Sequence, residues 1–238
     1  MDITPDAIVY WEAGSVRITA TLVFTWLVMA ILVGGSWLVT RRLSTETTLS
    51  RGQSLLEIVV EIIQEQIRDV TQQEPARYLP FVGTLFLFIA VSNILAIVPG
   101  FHPPTGSLST TAALALCVFV SVPLFGIAER GVGGFLRAYL QPSAFLLPFN
   151  IIGELTRTVA LALRLFGNVM SGTMMVAAAL AIAPLFFPVI MSALGLLIGL
   201  IQAYIFAILA LVFIASANQA HQEQAQTASI NEKRRDGP

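Results

Sequence analysis

Apolar residues in this chain come in long blocks separated by short polar stretches. Ile18 to Thr40 is 23 residues without a charge, enough to cross a hydrocarbon core about 30 Å thick. Arg41 and Arg42 stop it. Tyr78 to Val98 predicts a second span, closed by Pro99 and Gly100, and Leu108 to Ile127 a third, which Pro123 is placed to kink. Pro148 to Pro184 and Pro188 to about Asn218 predict two further helices, roughly 54 and 45 Å long if continuous. Both exceed the hydrocarbon thickness, so they must tilt, bend or protrude. Joined by Pro184-Leu185-Phe186-Phe187-Pro188, they predict an oblique, strongly tilted hairpin whose face can follow a curved neighbour.

Between the first two spans the period changes. Residues 41–77 are polar, and Ser54-Leu55-Leu56-Glu57 reads as a capping box. It opens an amphipathic helix over about 54–70. Glu57, Glu61, Gln64, Glu65 and Arg68 form its polar face, and Leu55, Ile58, Val59, Ile62 and Ile63 its apolar one. Such a helix rests on a membrane or a partner; a catalytic role for its acids is not expected. The organisation is then an outer segment (1–17), one membrane domain (18–220) and a polar, mobile tail (221–238). The loop 99–107 carries His102, a surface histidine or a proton relay, and the loop 128–143 is basic through Arg130 and Arg137.

Composition agrees with this pattern. The chain is 56% hydrophobic and 11% charged, with mean hydropathy +0.80, far from the roughly 25% charged residues of soluble domains. The fold class is an all-α polytopic membrane protein of about five crossing helices plus the amphipathic one. The single cysteine, Cys117, cannot form an internal disulfide. The acidic start has no basic n-region ahead of an apolar core, so no cleaved signal peptide is expected. Nucleotide-binding loops, zinc spacings and nucleophile elbows are absent from the sequence. Lys and Arg number five in 41–77, two in 128–143 and three in the tail, against Arg17 alone on the other side. The positive-inside rule therefore puts the N-terminus outside and the C-terminus in the cytoplasm; a bacterial inner membrane is the expected location.

One apolar stretch is costly. Asn150 to Gly172 holds Glu154, Arg157 and Arg164, and Asn168 follows one turn later. A charge near the bilayer centre costs roughly 2.5–3.5 kcal/mol, so such residues are functional candidates by default. At about 100° per residue, Glu154, Arg157, Leu161, Arg164, Asn168, Ser171 and Gly172 share a sector about 100° wide. Glu154 and Arg157 stand i, i+3 and can pair. Arg164 has no acid nearby in sequence and stays protonated. A fixed cation in a membrane calls for an anion that another chain can supply. In the last span Gln202 shares a face with Ser192, Gly195 and Gly199. Small residues let a second helix approach closely. Pairing this face with the Arg164 stripe is economical and would let Gln202 orient Arg164; ordinary packing, with Gln202 bonded to backbone, is the alternative. Asn93 in the second span is equally open between a helix–helix hydrogen bond and an aqueous path.

Residues 161–172, LALRLFGNVMSG, with Glu154 ahead and LIQAYIFAIL (200–209) behind, resemble the a subunits of F-type ATP synthases. The resemblance extends from Asn93, Pro99-Gly100 and Pro104-Thr105-Gly106 to about Ala217, over half the chain. Thr4 to Leu32 further resembles the N-type ATPase branch, which pumps sodium or protons. The resemblance implies a stator with two half-channels beside a rotating ring of c subunits, b-type peripheral stalk subunits, and a catalytic F1 sector that holds the nucleotide sites. No nucleic-acid partner or cofactor is expected; the translocated ion is H⁺ or Na⁺. Arg164 matches the essential arginine that faces each ring carboxylate. Asn168 and Gln202 match polar positions beside it, Glu154 an acid of the cytoplasmic half-channel, and Gly172 a small residue of the outer one.

The sequence also departs from the family pattern. Thr173 stands where many members carry an acid, and Gly195 where a titratable residue lies seven positions before the glutamine. Ser171 and Thr173 hydroxyls, with water, would then carry protons, or hydrated cations would pass. Arg157 replaces a common lysine and Thr158 a common proline, so Arg157 reads either as a cytoplasmic-end charge or as a second essential arginine. A secondary transporter is the first rival reading, but it usually shows internal repeats, and none is found here. A purely structural anchor would not need three charges on one stripe.

Overall fold

The computed structural model describes residues 5–13, 16–41, 51–98, 100–140, 147–182 and 187–235. After a 3-10 turn at Pro5–Ala7, two short strands, β1 (Val9–Ala13) and β2 (Val16–Thr19), pair antiparallel. The helices follow as α1 (Ala20–Thr40), α2 (Arg51–Thr71), α3 (Leu79–Leu95), α4 (Leu108–Leu140), α5 (Leu147–Ile182) and α6 (Phe187–Arg235). The hairpin was not expected, and it takes Ile18 and Thr19 from the first span: the Ala20 amide donates to the Ile8 carbonyl at 2.8 Å, where α1 begins.

The all-α polytopic class is right. Four described helical stretches are long and apolar enough to cross a membrane: Ala20–Leu38, Leu108–Ala128, Ile151–Ala181 and Phe187–Ser216. The fifth expected span, α3, has 17 residues, or about 26 Å of helix. It stands at the short end of spanning lengths, and irregular turns through Val98 extend it. Gly100, at φ 86°, takes the left-handed conformation that glycine tolerates best and ends the segment. Pro99 lies outside the described residues, as do the linker 183–186 with Pro184, residues 42–50 with Arg42, and residues 141–143 of the basic loop.

Three boundaries differ from expectation. The helix α4 runs to Leu140 instead of stopping near Ile127; its backbone breaks at Gly131 (φ 73°, ψ 165°), a region essentially confined to glycine. The described start of α2 is Arg51, so Ser54 lies within the first turns and does not cap the helix. There Gln53 Nε2 donates to Glu57 Oε1 at 3.1 Å, an i, i+4 bond that sets Glu57 a task other than capping. Finally, α6 continues to Arg235 through the stretch expected as a mobile tail.

The core lies between α3, α5 and α6, with α1 and α4 flanking it. Leu85, Phe88 and Ile89 of α3, Leu161 and Leu165 of α5, and Ala203, Phe206 and Ala210 of α6 form one buried cluster with Val28 and Val118. A second cluster docks α2. Ile67 packs with Tyr78, Val82, Leu211 and Ile214, supported by Ile63 and Val70. The apolar face of α2 thus leans on α3 and α6, while Ile58 and Ile62 stay about half exposed. Across this seam Tyr204 Oη donates to Gln66 Oε1 at 2.6 Å.

Candidate functional site: a charged stripe at the rim of the long helices

A continuous α5 carries every charge of the predicted stripe. Its buried line runs through Leu161, Ala162 and Leu165. The stripe falls on the edge of that line. Glu154, Asn168 and Gly172 are half-buried, while Arg157, Arg164 and Ser171 are exposed. Periodicity explains the arrangement: Arg164 sits one residue before fully buried Leu165, about 100° around the helix. The guanidinium therefore stands beside the core contact with α6 and outside it. Among the described residues no ion pair or hydrogen bond engages Arg164. Arg157 lies two turns earlier with its guanidinium carbon 5.9 Å from the centre of the Phe213 ring of α6, a cation–π arrangement. The Glu154 carbonyl accepts from Thr158 Oγ1 at 2.9 Å. The Ser171 and Thr173 hydroxyls donate to the carbonyls of Asn168 and Val169 at 3.1 and 3.0 Å. Their lone pairs remain available to accept from water or to meet a cation.

The face of α6 meets different partners from those expected. Gly199 does not receive α5; it receives Asn93 of α3. Asn93 Nδ2 donates to the Gly199 carbonyl at 2.8 Å, and Thr105 Oγ1 donates to Asn93 Oδ1 at 3.3 Å. A Cβ at position 199 would lie 3.1 Å from three atoms of the Asn93 side chain, whereas position 195 has open space. Ser192 is half-buried. Asn93 thus makes a helix–helix bond across α3 and α6. Gln202 does not hydrogen-bond Arg164. It is 6% exposed, and its Nε2 is buried without a partner among the described residues. The physical reason is rotational. The residues of α6 that join Leu161 and Leu165 in the core are Ala203, Phe206 and Ala210, which leaves Gln202 at the edge of that contact.

The sequence reading missed a polar cluster at the N-terminal end of α1. Asp6 Oδ1 accepts from Thr21 Oγ1 and Asp6 Oδ2 from Ser107 Oγ, each at 2.5 Å. Ser107 Oγ lies 2.7 Å from Ser109 Oγ. Thr105 and Ser107 are fully buried. A Cβ on Gly106 between them would stand 3.4 Å from Val169 of α5 and 3.8 Å from Pro5. The loop is thereby wedged between the N-terminal segment and α5. His102, read as a surface histidine or a proton relay, is half-buried; its Nδ1 is buried without a partner among the described residues, and its ring lies 6.0 Å from that of Phe24.

A polytopic helical bundle that places fixed cations on the edge of an intramembrane helix belongs among the ion-handling membrane proteins. Residues 22–215 match the family described as ATP synthase A chain. The chain is 61% identical to ATP synthase subunit a 2 of Acaryochloris marina over 229 residues, covering 96% of this chain and 98% of that protein. It is 57% identical to ATP synthase subunit a 1 of Chlorobaculum parvum over 223 residues, covering 94% and 99%. With ATP synthase subunit a of Albidiferax ferrireducens it shares 54% identity over 226 residues, covering 95% and 98%. The chain belongs to the ATP synthase A chain family.

Proposed function

We propose that this chain is the ion-conducting stator of a rotary ATP synthase or ATPase, and that Arg164 is the fixed cation past which the carboxylates of a c-subunit ring move. The observation that carries the proposal is the position of Arg164, exposed at the rim of the α5–α6 core and flanked by apolar surface. An unpaired cation there favours the ionised form of any carboxylate brought near it. A ring carboxylate, neutral or ion-loaded against lipid, releases its ion on reaching Arg164. Two half-channels open to opposite sides of the membrane deliver and remove the ion, and the arginine repels cations that would leak straight between them. Each charge moved through 100 mV is worth about 2.3 kcal/mol, which appears as ring rotation and drives nucleotide chemistry in the F1 sector. The b-type peripheral stalk subunits hold the stator still.

The pair must stay short-lived. At an effective dielectric of about 20, charges 4 Å apart attract by roughly 4 kcal/mol. Asn168, half-buried one turn from Arg164, and Gln202 at the core edge weaken that grip by hydration and competition. Glu154 belongs to the cytoplasmic half-channel, and Ser171, Gly172 and Thr173 to the outer one. The membrane is the bacterial inner membrane, with the N-terminus outside and the C-terminus cytoplasmic, as the skew of ten Lys and Arg against one supports. The N-type branch, pumping H⁺ or Na⁺, fits the start of the chain.

The test is ATP-driven ion uptake by vesicles carrying the assembled complex, for wild type, Arg164→Gln and Arg157→Gln, with and without sodium. Loss in Arg164→Gln with activity kept in Arg157→Gln is expected, and the sodium dependence names the ion. Full pumping by Arg164→Gln would overturn the proposal.

A further inference from the structure

Neither half of the long hairpin carries an ionisable ion relay beyond Arg164. From Leu165 to Ile182, and from Phe187 to Ser216, there is no Asp, Glu, His, Lys or Arg, nor is there one in α1 or α3. The loop between α3 and α4 has no Asp or Glu either, so any carboxylate on this side of the bundle must come from the segment preceding α1. Asp6 is the described carboxylate tied into the bundle there. It is itself exposed, yet it accepts from Thr21 at the start of α1 and from fully buried Ser107 just ahead of α4.

Polar atoms continue inward from it. Two residues before Ser107, fully buried Thr105 donates to Asn93, and Asn93 donates to the Gly199 carbonyl. One turn further along α6 is Gln202, whose buried Nε2 lacks a partner among the described residues. A buried polar group without a protein partner is commonly met by water or an ion. The outermost of these groups is a carboxylate, and the innermost is a donor at the edge of the core that includes Leu165, the neighbour of Arg164. Gly106 brings the same loop against Val169 of α5, between Asn168 and Ser171.

We propose that Asp6 is the carboxylate at the outer mouth of the ion path, exchanging ions between the outer solution and the buried line Ser107–Thr105–Asn93–Gln202. This rests on the reading of the chain as an ion-conducting stator with its N-terminus outside. As a relay, Asp6 accepts a proton from, or returns one to, outer water. For a metal cation it supplies one negative charge beside the Ser107 hydroxyl oxygen. The other ionisable groups on the described elements at this end are Tyr10, Glu12 and Arg17 on the hairpin and His102 on the loop. The plainer role for Asp6 is a staple that fixes the N-terminal segment to α1 and α4.

The experiment measures ATP-driven ion uptake in inverted vesicles, normalised to the amount of assembled complex. Asp6→Asn, Asp6→Glu and Thr21→Val are compared with wild type. Thr21→Val removes the bond that ties Asp6 to α1 and keeps the carboxylate and the line from Ser107 inward. Asp6→Asn is expected to lower uptake about a hundredfold or more, the range for losing a positioned proton-transfer group. Asp6→Glu is expected to restore most of it, and Thr21→Val to stay close to wild type. Wild-type uptake in Asp6→Asn overturns the proposal. So does an equal loss in Asp6→Asn and Thr21→Val, which would make Asp6 a staple, and so does an equal loss in Asp6→Glu and Asp6→Asn. Arg164→Gln is run alongside. If it pumps normally, the stator reading fails; if it is dead while Asp6→Asn pumps, only the role of Asp6 fails.

Discussion

Asn93 and Gly199 are fitted to each other across α3 and α6. The amide of one donates to the carbonyl of the other at 2.8 Å, and any side chain at 199 would start 3.1 Å from the Asn93 carboxamide. Small residues at a membrane helix interface permit such an approach, and a hydrogen bond there is worth about 0.6 kcal/mol on average. Gly199→Val is expected to destabilise by overpacking, about 1–3 kcal/mol. Asn93→Ala should relieve part of that, because it removes Cγ and Nδ2, two of the three atoms a Cβ at 199 would meet, and keeps the Asn93 Cβ. Thermal unfolding of the four proteins of this double-mutant cycle in detergent checks it, and additive losses would deny the coupling.

Gln202 tests whether a buried polar group serves the fold or the flux. Its Nε2 is buried and unpartnered among the described residues, so the fold gains nothing from that donor. An unsatisfied buried donor costs about 1–3 kcal/mol. Gln202→Leu is therefore expected to unfold at the same temperature as wild type or a higher one, while ATP-driven uptake falls. A drop in stability with uptake preserved would assign the residue to packing.

The two arginines of α5 should separate in opposite ways. Arg157 leans on Phe213, an exposed cation–π contact worth about 0.5–1 kcal/mol. Arg157→Gln and Phe213→Leu should each lower stability by about that much and leave uptake largely intact. Arg164→Lys should leave stability unchanged and abolish most uptake, because lysine has a different shape and can lose its proton when buried. Unfolding curves and vesicle assays on the same preparations check both halves.

Among its described side chains, the amphipathic α2 is held by fully buried Ile67. Ile67 fills the space between Tyr78, Val82, Leu211 and Ile214. Ile67→Ala is expected to cost about 2–5 kcal/mol. It should also loosen α2 from the bundle before the rest unfolds, read as faster hydrogen exchange over residues 51–71. Tyr204→Phe, losing the 2.6 Å bond to Gln66, should cost about 1 kcal/mol at the same seam.

The spans were legible because a charge-free block of some twenty residues has few other uses. The α5 stripe was legible because helical periodicity fixes which residues share a side. Periodicity says nothing about which helix meets that side. Gly199 therefore found Asn93 where α5 was expected, and Gln202 came to rest beside the core without touching Arg164. Ile67, the residue that seats α2, lay outside the apolar face read from sequence, since tertiary docking chose a strip rotated toward Ile63, Ile67 and Val70. Past residue 218 the chain has no apolar stripe, but it is rich in Ala, Gln and Glu, good helix formers; propensity without a buried face was read as a tail, and α6 runs through it. Asp6 left no local trace at all, because one of its partners is 101 residues away.

The last helix to be synthesised carries the contacts that hold the earlier ones. Asn93 bonds a carbonyl 106 residues downstream, and Gln66 accepts from a tyrosine 138 residues downstream. At about 5–20 residues per second, α3 waits on the order of ten seconds after its own synthesis before Gly199 exists. During that interval a carboxamide sits in the newly inserted helix without its native acceptor, and Ile67 lacks Leu211 and Ile214. Biogenesis of this subunit therefore has a vulnerable period that closes only when α6 arrives, and a chain truncated before residue 199 is a natural substrate for membrane proteolysis.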